Sequence, residues 1–424
     1  MIPAPGAPLD WLFLDLNSYF ASVEQQENPR LRGKPVAVVP VMTDFTCAIA
    51  ASYEAKAFGI KTGTGIREAK QKCPSIALVE ARHDIYVRYH HRVLEEVDRH
   101  ILVHNVASID EMACRLTGKW REPENALALA RQIKEGLRRN VGECIRCSIG
   151  LSTNRYLAKV ATDLQKPDGL VILHPDDLPG RLMNSELRDF PGIGRNMETR
   201  LHGAGIYTFE QLWACAPKRL RSAWGSVQGE RFWHALRGVE IADEETNRGS
   251  VGHSHVLSPE QRPPAMAERV TRRLLLKAAS RLRRMEYLTE CLSVSVRLEN
   301  GLRLENVRKF SPISDSVTLQ ECFTAMWLEL AEEIGHNRIK KTSVTLSGLS
   351  PVASHTQLEL FAGGPSAEAL EKRARLSRVL DGLTEKFGRD AVTIGIAPGE
   401  GTSFTGAKIA FNRVPDQADF DEAK

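Results

Sequence analysis

Short apolar runs organise the first half of the chain. Trp11-Leu12-Phe13-Leu14-Asp15-Leu16 has the composition of a strand covered on both faces, and Asp15 is its one charge. Ser18 to Gln26 predicts a helix closed by Asn28-Pro29, Val36 to Val41 a strand, and Ala48 to Phe58 a helix stopped by Gly59. Tyr86 to Val103 predicts a longer helix, with Tyr89, Val93, Val97 and Ile101 on one stripe. Val106 to Leu116 is a second buried strand candidate and contains Asp110-Glu111. Cys147 to Leu151 predicts a third strand, followed by a helix over Asn154 to Leu164.

The pattern then changes. From 174 to 240 it predicts short helices divided by Gly, Pro and polar turns, and Arg248 to Gly252 has the make-up of a hinge. A helix over 266 to 286 and alternating runs at Leu292 to Leu298 and Thr342 to Leu346 predict a separate α+β module. Pro351 to Pro365 reads as a linker, Ala367 to Phe387 as a helix, and Asp416 to Glu422 as an acidic tail. No repeat of fixed period occurs.

A length of 424 residues corresponds to about three domains. With 42% hydrophobic and 26% charged residues, the chain is neither fully disordered nor collagen-like, and it can fill cores. Aromatic residues at 6% argue against an extensive stacking surface. The formal net charge of +4 is uninformative until it is divided, because residues 251–310 hold twelve Lys/Arg against six Glu, a local +6. Eight cysteines are too sparse for a disulfide framework, and Cys144-Ile-Arg-Cys147 has no second half-site, so a reduced protein is expected. The N-terminal stretch has no cation before Arg30, which is unlike a signal peptide. No run reaches the roughly 18 apolar residues of a membrane span. A soluble, cytoplasmic protein without a membrane partner is the expectation.

Asp15, Asp110 and Glu111 carry the candidate chemistry. Each lies in or beside a strand-like apolar run, where an unpaired carboxylate is costly to bury. Shared bound cations offset that cost, and magnesium favours hard oxygen ligands. Salt-bridged or strand-end acids are the competing reading, and the pattern alone leaves both open.

Their surroundings narrow the choice. Asp15-Leu16-Asn17-Ser18-Tyr19-Phe20-Ala21-Ser22-Val23-Glu24, Tyr53-Glu54-Ala55-Lys56 and Ser108-Ile109-Asp110-Glu111 resemble blocks of the Y-family DNA polymerases. So do Ser148-Ile149-Gly150-Leu151-Ser152-Thr153-Asn154, Lys166-Pro167-Asp168-Gly169 and Phe190-Pro191-Gly192-Ile193-Gly194. The blocks fall in family order and span residues 10 to 350. The resemblance implies an α+β right hand: palm over 9–18 and 85–173, fingers over 19–84, and a thumb with a helix-hairpin-helix over 174–240. It also implies an α+β little finger over 250–350, a linker over 351–366 and a tail segment over 367–424.

The activity implied is template-directed addition of deoxynucleotides to a primer 3′ end, including opposite damaged template, with two magnesium ions. Asp15, Asp110 and Glu111 would be the side-chain metal ligands and Leu16 a main-chain ligand. Phe20 would be the steric gate against a 2′-hydroxyl, in place of an ordinary core aromatic. Tyr19, Tyr53, Lys56 and Lys166 would hold the nucleotide. Lys159 reads as a general basic contact or a solvated helix charge. The family commonly has Arg where Lys56 stands and Thr or Ser where Ala50 stands. Lys lacks the planar fork of Arg, so an altered grip on the triphosphate is expected.

Gly192 and Gly194 allow a tight turn into a helix whose amides would hold a DNA phosphate. Arg308 and Lys309, placed near a strand end, are the candidate phosphate contacts of the basic module. Gln357-Leu358-Glu359-Leu360-Phe361 resembles the bacterial sliding-clamp-binding peptide, in which Gln357, Leu358, Leu360 and Phe361 make the contacts. The segment beyond it loosely resembles the tail of the polymerase V catalytic subunit. His100 and His104 have helical spacing but lack the Glu of a zinc protease, so they read as structural. Primer-template DNA, deoxynucleoside triphosphates and a sliding clamp are therefore the expected partners of a monomer. A non-catalytic Y-family accessory protein is the rival reading, disfavoured by the presence of all three acids. A nucleotide cyclase would leave the hairpin and the basic module unexplained.

Overall fold

The computed structural model of the chain describes residues 3–4, 6–242, 249–354 and 367–387. It divides into two compact units, one within Met1–Asp243 and one within Glu244–Gly406, each described by itself.

The first unit runs β1 (Trp11–Leu16), α1 (Tyr19–Glu27), β2 (Val36–Val39), β3 (Ala50–Ala51), α2 (Tyr53–Lys56), α3 (Ile66–Lys72), β4 (Ala77–Glu80) and α4 (His83–Asp98). It continues with β5 (Val103–Val106), β6 (Glu111–Arg115), α5 (Pro123–Gly136), β7 (Cys147–Ser152), α6 (Arg155–Leu164) and β8 (Leu170–Ile172). Four short helices close it: α7 (Arg195–Gly203), α8 (Phe209–Ala214), α9 (Pro217–Trp224) and α10 (Gln228–Ala235).

The main sheet has the order β5-β6-β1-β7-β8, which places β1 at its centre with all six residues buried. Alternation along β1 sorts its side chains. Leu12, Leu14 and Leu16 join the core formed with Tyr86, Val93 and Val97 of α4 and Leu129 and Ile133 of α5. Trp11 and Phe13 face the other way, against Ala113 and Ala158. Asp15 follows Trp11 and Phe13, so it belongs to the α6 side. The close approach of α6 depends on Gly150, where an added Cβ would lie 2.0 Å from the Ala158 carbonyl oxygen and 2.7 Å from the Ala161 Cβ. A small sheet, β3-β2-β4, forms a separate layer with its own core at Ala51, Ala55, Ile60, Ala69 and Cys73. Helices α7 to α10 enclose a third core, in which Phe190 stacks on Phe209.

The second unit is an antiparallel sheet with helices on one face. Its strands are β9 (Ser250–Val256), β10 (Tyr287–Leu298), β11 (Arg303–Ile313) and β12 (Ile339–Pro351), in the order β11-β10-β12-β9. The helices α11 (Pro264–Arg284) and α12 (Ser316–Ile334) bury Leu274, Leu275, Phe323 and Trp327 against Leu292, Val294, Val344 and Leu346. The last described element is α13 (Ala367–Phe387).

Several elements differ from the sequence expectation. Ala48 to Phe58 is not one helix: Ala50 and Ala51 pair with Val38 and Ala37, and Ser52 caps a one-turn α2 by accepting from the Ala55 amide. Pairing with β2 overrides the helix propensity of the alanines. The run Val106 to Leu116 is split into β5 and β6, which leaves Asp110 in the turn between them. Strand β11 spans Arg303–Ile313, so Arg308 and Lys309 lie in its middle rather than near an end. Ala367 to Phe387 is helical as expected, but it does not stand apart as a tail segment. Arg283 holds Asp381 through two hydrogen bonds of 2.6 and 2.7 Å, Arg373 reaches Glu321 at 2.8 Å, and Ser377 accepts the Ser316 amide at 3.0 Å. These contacts seat α13 on the helices of the second unit. The proposed hinge residue Arg248, the linker from 355 and the tail beyond 387 lie outside the described residues.

Candidate active site

Three backbone segments converge at the end of β1. Asp15 pairs in register with Glu111 on one side and Ser148 on the other. The Leu16 amide donates to the Asp110 carbonyl at 2.8 Å, which fixes the β5–β6 turn against β1. Asp110 accepts from the Ser108 hydroxyl at 2.6 Å. Beyond β1 the chain turns through Asn17 and Ser18, and Ser18 adopts the left-handed region at φ 48° before α1 begins. That conformation is costly for a residue with a Cβ and is characteristic of functional turns.

Two lysines from the α6 side enter this cluster. The Lys159 ammonium contacts Asp15, reaches Glu111 at 2.8 Å and lies 3.5 Å from Asp163. Lys166 reaches the same Asp15 oxygen at 2.9 Å and Asp163 at 2.7 Å. Burial pushes the Asp15 carboxyl up, but the two ammonium groups outweigh it and hold the pKa below the ordinary value. Both lysines are pushed up by the surrounding acids despite their burial. Asp110 behaves oppositely. Burial raises it, the Ser108 hydrogen bond opposes, and the charges of Asp15 and Glu111 raise it further. Lys159 is therefore part of the site, not a solvated helix charge.

The expected nucleotide residues fall into two groups. Lys56 lies 4.2 Å from the Tyr53 ring centroid, and burial, with the charge of Lys166 adding, lowers its pKa. Burial raises the Tyr53 phenol, with Lys166 opposing and Asp15 adding. The Tyr19 side chain is not among them. It is 3% exposed and donates its hydroxyl to the Tyr86 carbonyl at 2.6 Å, so its side chain is committed to the core and not to a ligand. Phe20 is half-buried and stacks on Tyr86 with centroids 4.4 Å apart.

Sequence reasoning missed the supports. Asn17 accepts the Asp168 amide at 2.7 Å and donates to Ser148 at 3.1 Å, which ties the loop carrying Lys166 to the end of β1. Lys134 donates to the carbonyls of Cys147, Asp168 and Gly169 at 2.9, 2.7 and 3.1 Å. His90 bonds the Ile109 carbonyl at 2.7 Å, directly before Asp110. None of these pairings has a local sequence signal.

Among the described residues, no group of three or more His, Cys, Asp or Glu is closed into a metal shell. The donors nevertheless suit a hard cation. They are all oxygens, an ammonium already bridges Asp15 and Glu111, and Asp110 lies in a buried, negatively charged setting.

The remaining candidates lie elsewhere. In the first unit, Gly192 has φ +93°, and Gly194 is the N-cap of α7; a Cβ at either meets nothing within 4 Å, so this turn faces open space. In the second unit, Lys309 is on the sheet face away from the helices. Arg308 is on the other face, held by Glu329 of α12 at 2.5 Å, so the two do not form one phosphate-binding pair. Alternation along β11 made that separation inevitable. The missed cations are Arg303, Arg297 and Lys341, which pair in register across β11, β10 and β12. Gln357, Leu358, Leu360 and Phe361 lie outside the described residues.

Comparisons with known proteins place this architecture. The profile of the impB/mucB/samB family matches residues 14–163, that of its C-terminal domain matches 248–360, and that of the DNA polymerase-iota thumb domain matches 188–240. The chain is 31% identical to DNA polymerase IV of Moorella thermoacetica, covering 94% of this chain and 97% of that protein. It is 27% identical to DNA polymerase IV 1 of Bacillus subtilis over 92% and 94% of the two chains. Among solved structures, the insertion ternary complex of Dbh DNA polymerase aligns with a TM-score of 0.52 at 25% identity, over 81% of this chain and 99% of that one. A Y-family polymerase chimera of Dbh and Dpo4 aligns with a TM-score of 0.68 at 24% identity, over 81% and 99%, and supports the fold. With identity of this level across nearly the whole of a bacterial relative, the chain belongs to the Y-family DNA polymerases, in their DNA polymerase IV group.

Proposed function

We propose that this translesion DNA polymerase extends a primer 3′ end with deoxynucleotides by a mechanism that uses two magnesium ions at Asp15, Asp110 and Glu111. The single observation that carries the reading is the convergence of those acids, from β1 and the start of β6, with Lys159 and Lys166. When bound, the ions would lower the pKa of the primer hydroxyl and neutralise the leaving pyrophosphate. The chain's own residues supply the rest. Asp15, Asp110, Glu111 and the Leu16 carbonyl offer hard oxygen ligands. Lys166, Lys56 and Tyr53 would grip the triphosphate, and Lys159 and Lys166 can exchange a carboxylate for a phosphate oxygen without losing charge. Phe20 would exclude a ribose 2′-hydroxyl.

Primer-template DNA is the proposed polymer partner, matching the ternary complexes of the Dbh relative. The Gly192–Gly194 turn would hold the duplex backbone. The row Arg303, Arg297 and Lys341 sets like charges opposite one another, with Glu305 pairing, among these three, only with Arg303 at 3.0 Å, so a phosphate would be welcome beside Arg297 and Lys341. Ser295, Ser343 and Thr345 on the same face offer short hydroxyl donors to phosphates. Lys309 joins that face. The Gln357 to Phe361 peptide would bind a sliding clamp, and the enzyme would act as a monomer. No described helix is long and apolar enough to cross a membrane; a cytoplasmic site of action fits this reading. A non-catalytic accessory role has no observation in its favour.

The test is primer extension by the full chain on a primed template, with magnesium, four deoxynucleotides and a sliding clamp supplied. Extension across intact and abasic templates is expected. No extension on either would overturn the proposal.

A further inference from the structure

Two helical pairs meet behind Phe20. On α1, Phe20 and Glu24 are separated by one turn and share a face. At the start of α4, Arg82 and Tyr86 have the same spacing. The segments meet ring to ring and charge to charge. Phe20 stacks on Tyr86 at 4.4 Å with planes 13° apart, and Arg82 holds Glu24 through Nε at 3.1 Å and Nη2 at 2.5 Å. A cross-brace joins them: the Tyr86 hydroxyl donates to Glu24 Oε1 at 2.7 Å. The other end of Tyr86 is fixed as well, since its carbonyl accepts the Tyr19 hydroxyl at 2.6 Å.

The burial is unusual for such a group. Glu24 is 1% exposed, and an isolated carboxylate there would be costly; the forked guanidinium of Arg82 and the Tyr86 hydroxyl occupy both of its oxygens. Only the Glu24 end of the pair is buried, and a packed hydrophobic residue there would serve stability as well. What the pair adds is a direction: it fixes where the Tyr86 ring stands, and thereby the ring stacked on it.

We infer that Tyr86, Glu24 and Arg82 are positioning residues that hold the Phe20 ring in place and so set the selectivity against ribonucleotides. This rests on the reading of Phe20 as the gate. Discrimination by one hydroxyl depends on a wall that does not yield by a fraction of an ångström. A phenylalanine ring on a helix can turn about two bonds; stacked on a tyrosine braced at both ends, it cannot. None of the three residues needs to touch the nucleotide.

The test is steady-state insertion of dCTP and rCTP opposite template dG by the full chain, comparing the ratio of kcat/KM values. Tyr86→Phe keeps the stack and removes only the brace. It is expected to lower the preference for dCTP by about 3- to 10-fold, the scale of one hydrogen bond, while dCTP insertion stays near that of the unmodified protein. Glu24→Gln, which keeps the volume, is expected to act in the same direction. The double variant should be no more permissive than the stronger single variant, because both break one chain of contacts. Phe20→Val separates the two readings. If it relaxes sugar selection while Tyr86→Phe and Glu24→Gln leave the preference unchanged, the bracing role is overturned and the gate stands. If the two variants lower dCTP and rCTP insertion equally, they act on stability alone and the inference also fails. If Phe20→Val leaves sugar selection intact, the gate itself fails, and the inference with it.

Discussion

The carboxylate cluster of the first unit and the open sheet face of the second both gather charge, and they handle it in opposite ways. At the end of β1 the charges gather round the buried Asp15 and are individually partnered: Lys159 bridges Asp15 and Glu111, Lys166 joins Asp15 to Asp163, and Asn17 and Lys134 fix the loop behind them. On the sheet face, Arg297, Arg303 and Lys341 are exposed, among the described residues only Arg303 has a carboxylate beside it, Glu305 at 3.0 Å, and Ser295 and Ser343 share a hydrogen bond of 2.8 Å. The first arrangement depends on the position of each atom, as phosphoryl transfer does. The second depends on summed charge and short polar side chains, as sequence-independent binding of a backbone does. Single changes should therefore be severe in the first region and mild in the second.

Gly150→Ala tests the severe end. Its Cβ would meet the Ala158 carbonyl at 2.0 Å, so α6 must move, and Lys159 with it. Overpacking of this kind costs ~3 kcal/mol, and thermal unfolding should show Tm lowered by about 6 °C or more. An unchanged Tm would show that the approach of α6 is not tight.

The pH dependence of stability probes the same region from the back. His90 is 1% exposed, and burial holds its pKa down to about 4 against an ordinary 6.5. The unfolded chain binds the proton first, so the stability from keeping His90 neutral is present above about pH 6.5 and is lost progressively as pH falls towards 4. Urea unfolding between pH 7 and 4.5 should be steeper for the unmodified protein than for His90→Gln. Equal slopes would remove His90 as the cause.

Lys56→Arg is expected to lower the KM for the incoming nucleotide by about 3- to 10-fold, because a planar fork replaces a point charge beside Tyr53. An unchanged KM would place Lys56 off the triphosphate. The mildest changes belong to the sheet face. Arg297→Ala or Lys309→Ala should weaken duplex binding uniformly across sequences and reduce its salt slope by about one each. A shift in base preference would contradict a phosphate role.

Legibility in the sequence followed the range of the interaction. Asp15 and Asp110-Glu111 were legible through the motif blocks around them, since a carboxylate in an apolar run is by itself as well explained by a salt bridge. Lys159 was not legible: its partner Asp15 is 144 positions away, and on its own helix it looks like any surface lysine. Tyr86 and Glu24 were hidden in the same way, 62 positions apart. The extent of β11 escaped notice because its outward face carries Arg303, Glu305, Val307 and Lys309, so charge masked the alternation. The cap at Ser52 and the tertiary pairing of Ala50 overrode a helix that local propensity favoured. The docking of α13 through Arg283 and Arg373 has no periodic signature at all.

The most direct test of the account is single-nucleotide primer extension as a function of magnesium concentration, for the unmodified chain and for Asp110→Asn. The substitution preserves size and an acceptor for the Ser108 hydroxyl, and it removes one ligand charge from the site. The account predicts magnesium-dependent extension by the unmodified chain and a loss of about a thousandfold or more in the variant. Extension by the variant within a few-fold of the unmodified chain, or extension by either in excess chelator, would contradict it.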